Sequence, residues 1–239
     1  VLARGEVVRN DVTIPEGRTI EETAALAGKA GVDAEAFLEV ARDPEPIHDH
    51  DPDAEDLEGY LFPDTYHVPL ASDTARALVR RMLQRFREVI EPELPRIEKQ
   101  GLTVRKVVIL ASLVELETAA VEERPRIAGV FLNRLEKRML LQTDPTIIYA
   151  LKQEGRWDGN IRRRDLEMDS PYNTYRHPGL PPGPIGSPGR EAILAVLDPE
   201  ETRELYFVSR NDGTHHFSET LREHNRAVDR YQRRRRRSR

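Results

Sequence analysis

The sequence predicts an α+β fold, mostly helical, with a small antiparallel sheet, a long proline- and glycine-rich loop and a small N-terminal strand-helix lobe. Three observations lead there. Apolar residues recur at helical spacing through 74–91 and 127–135 and cover every direction of a helical wheel in the core of 104–121. Two short aromatic and β-branched runs, 205–209 and 214–218, flank Arg210-Asn211-Asp212-Gly213, a hairpin signal. Between the helical segments and that hairpin, Gly179-Leu180-Pro181-Pro182-Gly183-Pro184-Ile185-Gly186-Ser187-Pro188-Gly189 has almost no propensity for regular structure.

In chain order, residues 7–14 read as a strand closed by the turn Pro15-Glu16-Gly17. Thr19 with Glu22 three residues later has the spacing of a capping box and opens a helix to Ala30; residues 34–41 continue as a second short one. Residues 43–58 carry eight acids and three prolines, which reads as an exposed connection. The domain boundary is therefore drawn there: 1–55 as the N-terminal strand-helix lobe with its acidic connection, 56–239 as the main region. His48-Asp49-His50-Asp51 invites a metal reading, but alternating residues in a flexible acidic loop lack the preorganised ligands of a zinc site, and no metal is assigned. Residues 58–66, with Tyr60, Phe62 and Tyr66, suit either a ring-lined sugar surface or core packing. An amphipathic helix over 74–91 packs through Leu78, Met82, Phe86 and Ile90.

Residues 107–114 are apolar on every side of a helical wheel except at Ser112, so the helix 104–121 is expected to be buried, with Glu115 and Glu117 at its end. Pro125 starts the next helix, whose stripe is Ile127, Ala128, Phe131, Leu132 and Leu135. Asp144 before Pro145 reads as the N-cap of a further helix through Leu151. Gln142 lacks such a structural reason, and its amide can both donate and accept, as sugar hydroxyls and N-acetyl groups require. Tyr172-Asn173-Thr174-Tyr175 and the stiff loop after it read as a shaped wall. One of His215 and His216 should point inward from the hairpin. Thr220 and Glu223 cap the last helix.

Composition bounds the function. The 239 residues, 38% of them hydrophobic, suffice for one large domain or two small ones. Charged residues make up 33% but nearly cancel at -5, so nucleic acid is not a partner suggested by charge. The run Arg233 to Arg237 reads as a solvated helix end. The lack of cysteine says nothing about compartment. No apolar stretch approaches the roughly 20 residues that span a bilayer. Val1 in place of Met reads as an excised fragment, leaving an N-terminal anchor open.

At about 100° per residue, Glu115 and Glu117 lie roughly 200° apart and cannot act as a carboxylate pair. Glu117 shares its stripe with Leu110, Leu113, Val114 and Val121, which favours it as the acid among apolar groups, with Glu115 as the alternative. A buried carboxyl resists ionisation and can serve as a general acid near neutral pH. One such acid suffices for lytic transglycosylation, where the sugar's own C6 hydroxyl is the nucleophile; hydrolysis needs a second carboxylate, for which Asp144 is the candidate.

Ala111-Ser112-Leu113-Val114-Glu115-Leu116-Glu117-Thr118, Val130-Phe131-Leu132-Asn133-Arg134-Leu135, Leu141-Gln142-Thr143-Asp144-Pro145-Thr146-Ile147-Ile148-Tyr149, Tyr172-Asn173-Thr174-Tyr175, Gly179-Leu180-Pro181-Pro182-Gly183-Pro184-Ile185 and His216-Phe217, in this order, resemble the YceG-like family of bacterial endolytic murein transglycosylases. The resemblance implies that Glu117 is catalytic and that no cofactor is needed. It implies a glycan groove lined by Gln142, Asp144, Tyr172, Asn173, Thr174 and Tyr175, walled by Leu180, Pro181 and Pro184, with His216 nearby. It further implies peptidoglycan glycan strands as substrate, peptidoglycan synthases as partners, and the extracytoplasmic face of the bacterial inner membrane as location. A membrane anchor and a LysM-like module would then precede this sequence. The rival to an enzyme is a non-catalytic glycan-binding module.

Overall fold

Residues 9–69 and 73–233 are described by the structure, a computed structural model. They form two compact units, one of the described residues up to 108 with 184–189 and one of residues 109–183 with 190–233. The boundary drawn at 55/56 falls inside the first unit.

In the first unit, strand β1 (Arg9–Thr13) pairs antiparallel with β2 (Thr65–Pro69), Val12 opposite Tyr66. Helices α1 (Ile20–Lys29) and α2 (Ala34–Ala41) lie between them in sequence, and α3 (Thr74–Ile90) and α4 (Leu94–Lys99) follow. The start of α1 forms the capping box read from the sequence: the Thr19 hydroxyl accepts the Glu22 N–H and the Glu22 carboxylate accepts the Thr19 N–H. Asp33 caps α2 through the N–H groups of Glu35 and Ala36. Phe37, Tyr60, Leu78, Met82 and Phe86 are fully buried and make the core.

The acidic connection departs from expectation. Ile47 and Leu57 are fully buried, and Asp51 is 1% exposed. Asp51 accepts the Tyr60 hydroxyl and pairs with Arg105 at 2.5 Å, so its charge is compensated where it is buried. His48, Asp49, His50 and Asp51 look to different partners: the Ala54 carbonyl, Arg87, the acids Asp49 and Glu91, and Tyr60 with Arg105. Tyr60, Leu61, Phe62 and Tyr66 are core rather than a sugar-facing surface; the Tyr60 ring meets Phe86 edge-on at 5.3 Å, and the Tyr66 hydroxyl donates to the Phe62 carbonyl.

In the second unit, the rest of α5 (Val104–Glu117), whose first residues belong to the first unit, is followed by α6 (Arg124–Glu136), α7 (Asp144–Gln153) and α8 (Arg190–Leu197). As expected from the apolar wheel, every residue of α5 from Val107 to Glu115 is buried. Strands β3 (Tyr206–Ser209) and β4 (His215–Ser218) make the hairpin, with Phe207 opposite Phe217 and Val208 opposite His216. The turn uses Asn211 and Gly213 at φ 62° and 92°, the left-handed conformations that this tight reversal needs. Helix α9 (Leu221–Val228) starts at the Thr220 and Glu223 capping box. Of the arginine run, all but Arg233 lies outside the described residues.

Candidate active site

Glu117 is the last residue of α5. A carboxylate there faces the unsatisfied carbonyls and negative dipole end of its own helix, which disfavours ionisation. Burial is the larger effect and pushes its pKa up to about 7; the Thr143 hydroxyl and Arg134 pull it down, and the Asp144 charge pushes it up. The residue as a whole keeps some exposure, so this carboxyl is desolvated without being sealed from a ligand.

Glu115 has the opposite setting. It is the more buried of the two, at 9% residue exposure, and its carboxylate pairs with the equally buried Arg124 of α6 at 2.5 Å. The wheel alone does not part the two acids: Leu110, Leu113 and Val114 on the Glu117 side are buried, but so are Ala111, Ser112 and Thr118 on the Glu115 side, while Val121 on the former and Ala119 on the latter lie beyond the helix and are exposed. What separates the two acids is an ion pair, not the wheel. A charge neutralised by guanidinium has no proton to give, while an acid without such a partner does.

A bed of threonines supports Glu117. The Thr143 hydroxyl donates to Glu117 Oε2 at 2.9 Å. Thr143 itself is held by its N–H to Thr174 Oγ1 at 3.1 Å and by its carbonyl, which accepts the Thr146 hydroxyl at 2.8 Å. Thr146 and Thr174 hydroxyls meet at 2.9 Å. Each hydroxyl has one hydrogen, so with Thr146 donating to the Thr143 carbonyl, Thr174 donates to Thr146.

Helix α7 begins one residue earlier in the motif than capping logic places it. Thr143, with φ -105° and ψ 123°, occupies the N-cap position without a side-chain cap bond, and Asp144 is the first helical residue. The Asp144 carboxylate is instead exposed and accepts the Tyr175 hydroxyl at 2.5 Å. Gln142 is exposed as well, and its φ of 50° is a left-handed conformation that a non-glycine residue adopts only at a cost of roughly 1–3 kcal/mol. Its N–H donates to the Thr174 carbonyl at 3.1 Å. The backbone thus turns Thr143 inward between two exposed polar side chains.

The tetrad divides in the same way. Tyr172 and Tyr175 are half-buried, packing on the cluster of Ile147, Ala150, Leu151 and Met168, with Tyr172 4.8 Å from Tyr149. Asn173 and Thr174 are 0% and 2% exposed, so they do not line a surface. The Asn173 amide donates to the Leu166 and Met168 carbonyls and its oxygen accepts the Tyr175 N–H, which fixes the loop from beneath. Leu180 is half-buried and Pro181 buried in the second unit. Pro184 belongs to the first unit, where it sits against Gly59 so closely that a Cβ at Gly59 would lie 2.5 Å from the proline. His216 is half-buried and its ring meets Tyr231 at 5.8 Å; His215 pairs with Glu123 at 2.7 Å.

Two residues of this site escaped the sequence reading. Thr143 stands between Gln142 and Asp144 in the motif Leu141-Gln142-Thr143-Asp144-Pro145. Arg134 is 8% exposed and lies at i+7 from Ile127 and i+3 from Phe131, a cation in the apolar stripe of α6, which was the available signal. Its guanidinium donates to the carbonyls of Leu140, Leu141 and Leu205. Burial draws its pKa down, and the Tyr206, Tyr175 and Glu117 charges oppose that.

A helix-borne carboxyl held near neutrality by burial, steadied by hydroxyls and flanked by a tyrosine–carboxylate pair, is the kind of site that exchanges protons with a bound ligand. The model of the YceG-like family matches residues 1–230. An endolytic murein transglycosylase of Bacillus subtilis (strain 168) is 41% identical over 175 residues, covering 73% of this chain and 48% of that protein. One of Streptococcus pneumoniae serotype 2 is 36% identical over 251 aligned residues, covering 93% of this chain and 45% of that protein. The crystal structure of a YceG-like protein from Listeria monocytogenes superposes with a TM-score of 0.82 at 35% identity, covering 91% of this chain and 76% of the other. The chain belongs to the YceG-like family. It spans about half the length of the curated relatives it matches.

Proposed function

We propose that this chain is the catalytic part of an endolytic peptidoglycan transglycosylase. It cleaves the β-1,4 bond between N-acetylmuramic acid and N-acetylglucosamine within glycan strands and leaves 1,6-anhydro-muramyl ends. The observation that carries this reading is the contrast between the two acids: Glu115 is neutralised by Arg124, while Glu117, raised to about 7, is without an arginine at bonding distance among the described contacts. Glu117 gives its proton to the glycosidic oxygen as the C1–O bond breaks. As carboxylate it then takes the proton of the C6 hydroxyl as that oxygen bonds to C1. The proton count returns to its starting value, so neither water nor a second carboxylate is consumed. Gln142, Asp144, Tyr172 and Tyr175 contact the glycan, with Leu180 and Pro181 as its stiff flank; Asn173 and Thr174 hold that surface from below.

The names of the relatives support the substrate class; action outside the cytoplasm, beside synthases that lay down the strands, is part of the same proposal. No helix of the described residues is long and apolar enough to cross a membrane. The test is Glu117→Gln on isolated sacculi. We expect a fall in anhydro-muropeptide release of at least about 10²-fold, as loss of a general acid gives, with Glu115→Gln retaining the product type. Release at the parental rate from Glu117→Gln, or products heavier by one water, would sink the assignment.

A further inference from the structure

We propose that Thr143 is a positioning residue of this reaction, its hydroxyl holding Glu117 Oε2 in both protonation states and thereby reserving Oε1 as the atom that gives and takes the proton. The inference rests on the proposed transglycosylase reading for its chemistry, but its geometry stands apart from it.

A glutamate side chain ends in two equivalent oxygens on a rotatable bond. For one carboxyl to act first as acid and then as base on neighbouring atoms of one sugar, the same oxygen must face the substrate in both steps, since a misplacement of about 1 Å costs up to about 10²-fold in rate. The site holds one device that distinguishes the oxygens. Thr143 Oγ1 lies 2.9 Å from Oε2, and Thr143 is 1% exposed. The hydroxyl itself cannot drift: the Thr143 N–H, carbonyl and side chain are each engaged, to Thr174, Thr146 and Glu117. The strained φ of Gln142 and the Arg134 bonds to Leu140 and Leu141 set the direction in which the backbone delivers it.

The hydrogen count gives the hydroxyl one direction through the cycle. Ionised Glu117 only accepts, so the hydroxyl donates to Oε2. When the proton returns, placing it on Oε2 would displace that bond, whereas placing it on Oε1 leaves Oε2 a carbonyl-like acceptor and the bond intact. In the acid step the Oε1 proton goes to the glycosidic oxygen; in the base step the C6 hydroxyl proton arrives on Oε1, and Thr143 keeps its own. The chain Thr174 to Thr146 to the Thr143 carbonyl closes on the backbone, so the threonines below are a support and not a proton wire.

The experiment compares the parent, Thr143→Val, which keeps the shape and removes the hydroxyl, and Thr143→Ser, which keeps the hydroxyl. Two readouts are taken: product release from sacculi as a function of pH, and the titration of the Glu117 carboxyl followed by carbon NMR. In the parent, activity falls as pH rises through about 7, the value at which Glu117 loses its proton. Because the lost hydrogen bond favours the ionised form, Thr143→Val is expected to move both the falling limb and the carboxyl titration to higher pH, by roughly half to one unit. It is also expected to lower kcat about 10-fold or more with KM within about 2-fold. Thr143→Ser restores the limb and most of kcat. A Thr143→Val protein with the parental titration, or a Thr143→Ser protein as impaired as Thr143→Val, would overturn the proposal. Failure of the transglycosylase reading shows separately, as a water-added product or an active Glu117→Gln, and leaves the carboxyl titration to decide on Thr143.

Discussion

Glu115 and Glu117 sit two residues apart on one helix with opposite electrostatic surroundings, and the difference is made by single partners. The wheel reading that the two acids face opposite ways needs only the helical period, so it was legible in the sequence. Which of them is paired with a cation was not, because that depends on Arg124, which stands just before Pro125 and reads as an ordinary first-turn cation. The pairing has a consequence for stability. Arg124 and Glu115 side chains are 5% and 4% exposed, and removing one partner strands the other charge in the interior. Glu115→Ala should therefore lower the stability of the second unit by about 3–5 kcal/mol, read as a fall in the denaturation midpoint. Glu117→Gln, which removes a carboxyl that burial already disfavours as an ion, should leave the midpoint unchanged or raise it. Equal losses from the two substitutions would contradict the assigned roles.

At the scale of elements, local chemistry was readable wherever it acts within a few residues. The capping boxes at Thr19 and Thr220 and the turn at Asn211 to Gly213 form as their side chains dictate. Strand β2 was missed: Thr65-Tyr66-His67-Val68-Pro69 is five residues long and ends on a proline, and what makes it a strand is its distant partner β1. The acidic connection was misjudged for the same reason, since the burial of Asp51 follows from Tyr60 and Arg105, neither visible as a partner in sequence. The site was legible as motifs but not as layers: exposed Gln142 and Asp144 could not be told from buried Thr143 before the backbone turn between them was known. Helix α6 offers a test of packing against propensity. Gly129 lies inside it, where alanine normally gains about 1 kcal/mol of helix stability. Here a Cβ would stand 2.5 Å from the Glu200 carbonyl oxygen, in a segment whose N–H is bonded to the Pro125 carbonyl, so the clash is with held backbone. Overpacking of this kind costs about 1–3 kcal/mol, and Gly129→Ala should be net destabilising in a denaturant titration. A raised midpoint would mean that the 200–204 segment yields freely.

For the molecule as a whole, burial raises the pKa of acids in both units, Glu58 and Asp56 in the first and Glu117 in the second, and together they give stability a slope with pH. In the first unit, Glu58 is 4% exposed; its Oε2 accepts the Ile20 N–H at 3.2 Å, and its Oε1 has no hydrogen-bond partner among the described residues. Burial raises its pKa well above the carboxylate range; the Ile20 bond opposes the shift, and Asp56 and Glu21 add to it. In the second unit Glu117 is raised to about 7, again chiefly by burial. An unfolded glutamate titrates near about 4.3. Below that pH both states hold the proton and neither acid contributes a slope. Above it the unfolded chain releases protons that the folded chain retains, so the unfolded state binds fewer protons and stability falls with rising pH until each folded pKa is passed. This is the reverse of the usual paired carboxylate, such as Glu204 beside Arg126, whose pKa is lowered and whose contribution grows over the acid range. The expected outcome is a thermal midpoint that declines from pH 5 to pH 8 beyond what surface charge explains. Glu58→Gln should flatten the part of that decline belonging to the first unit, and Glu117→Gln the part belonging to the second, whatever constant offset the buried amide brings. Parallel midpoint curves for the parent and both variants would show that these two carboxyls do not control the slope.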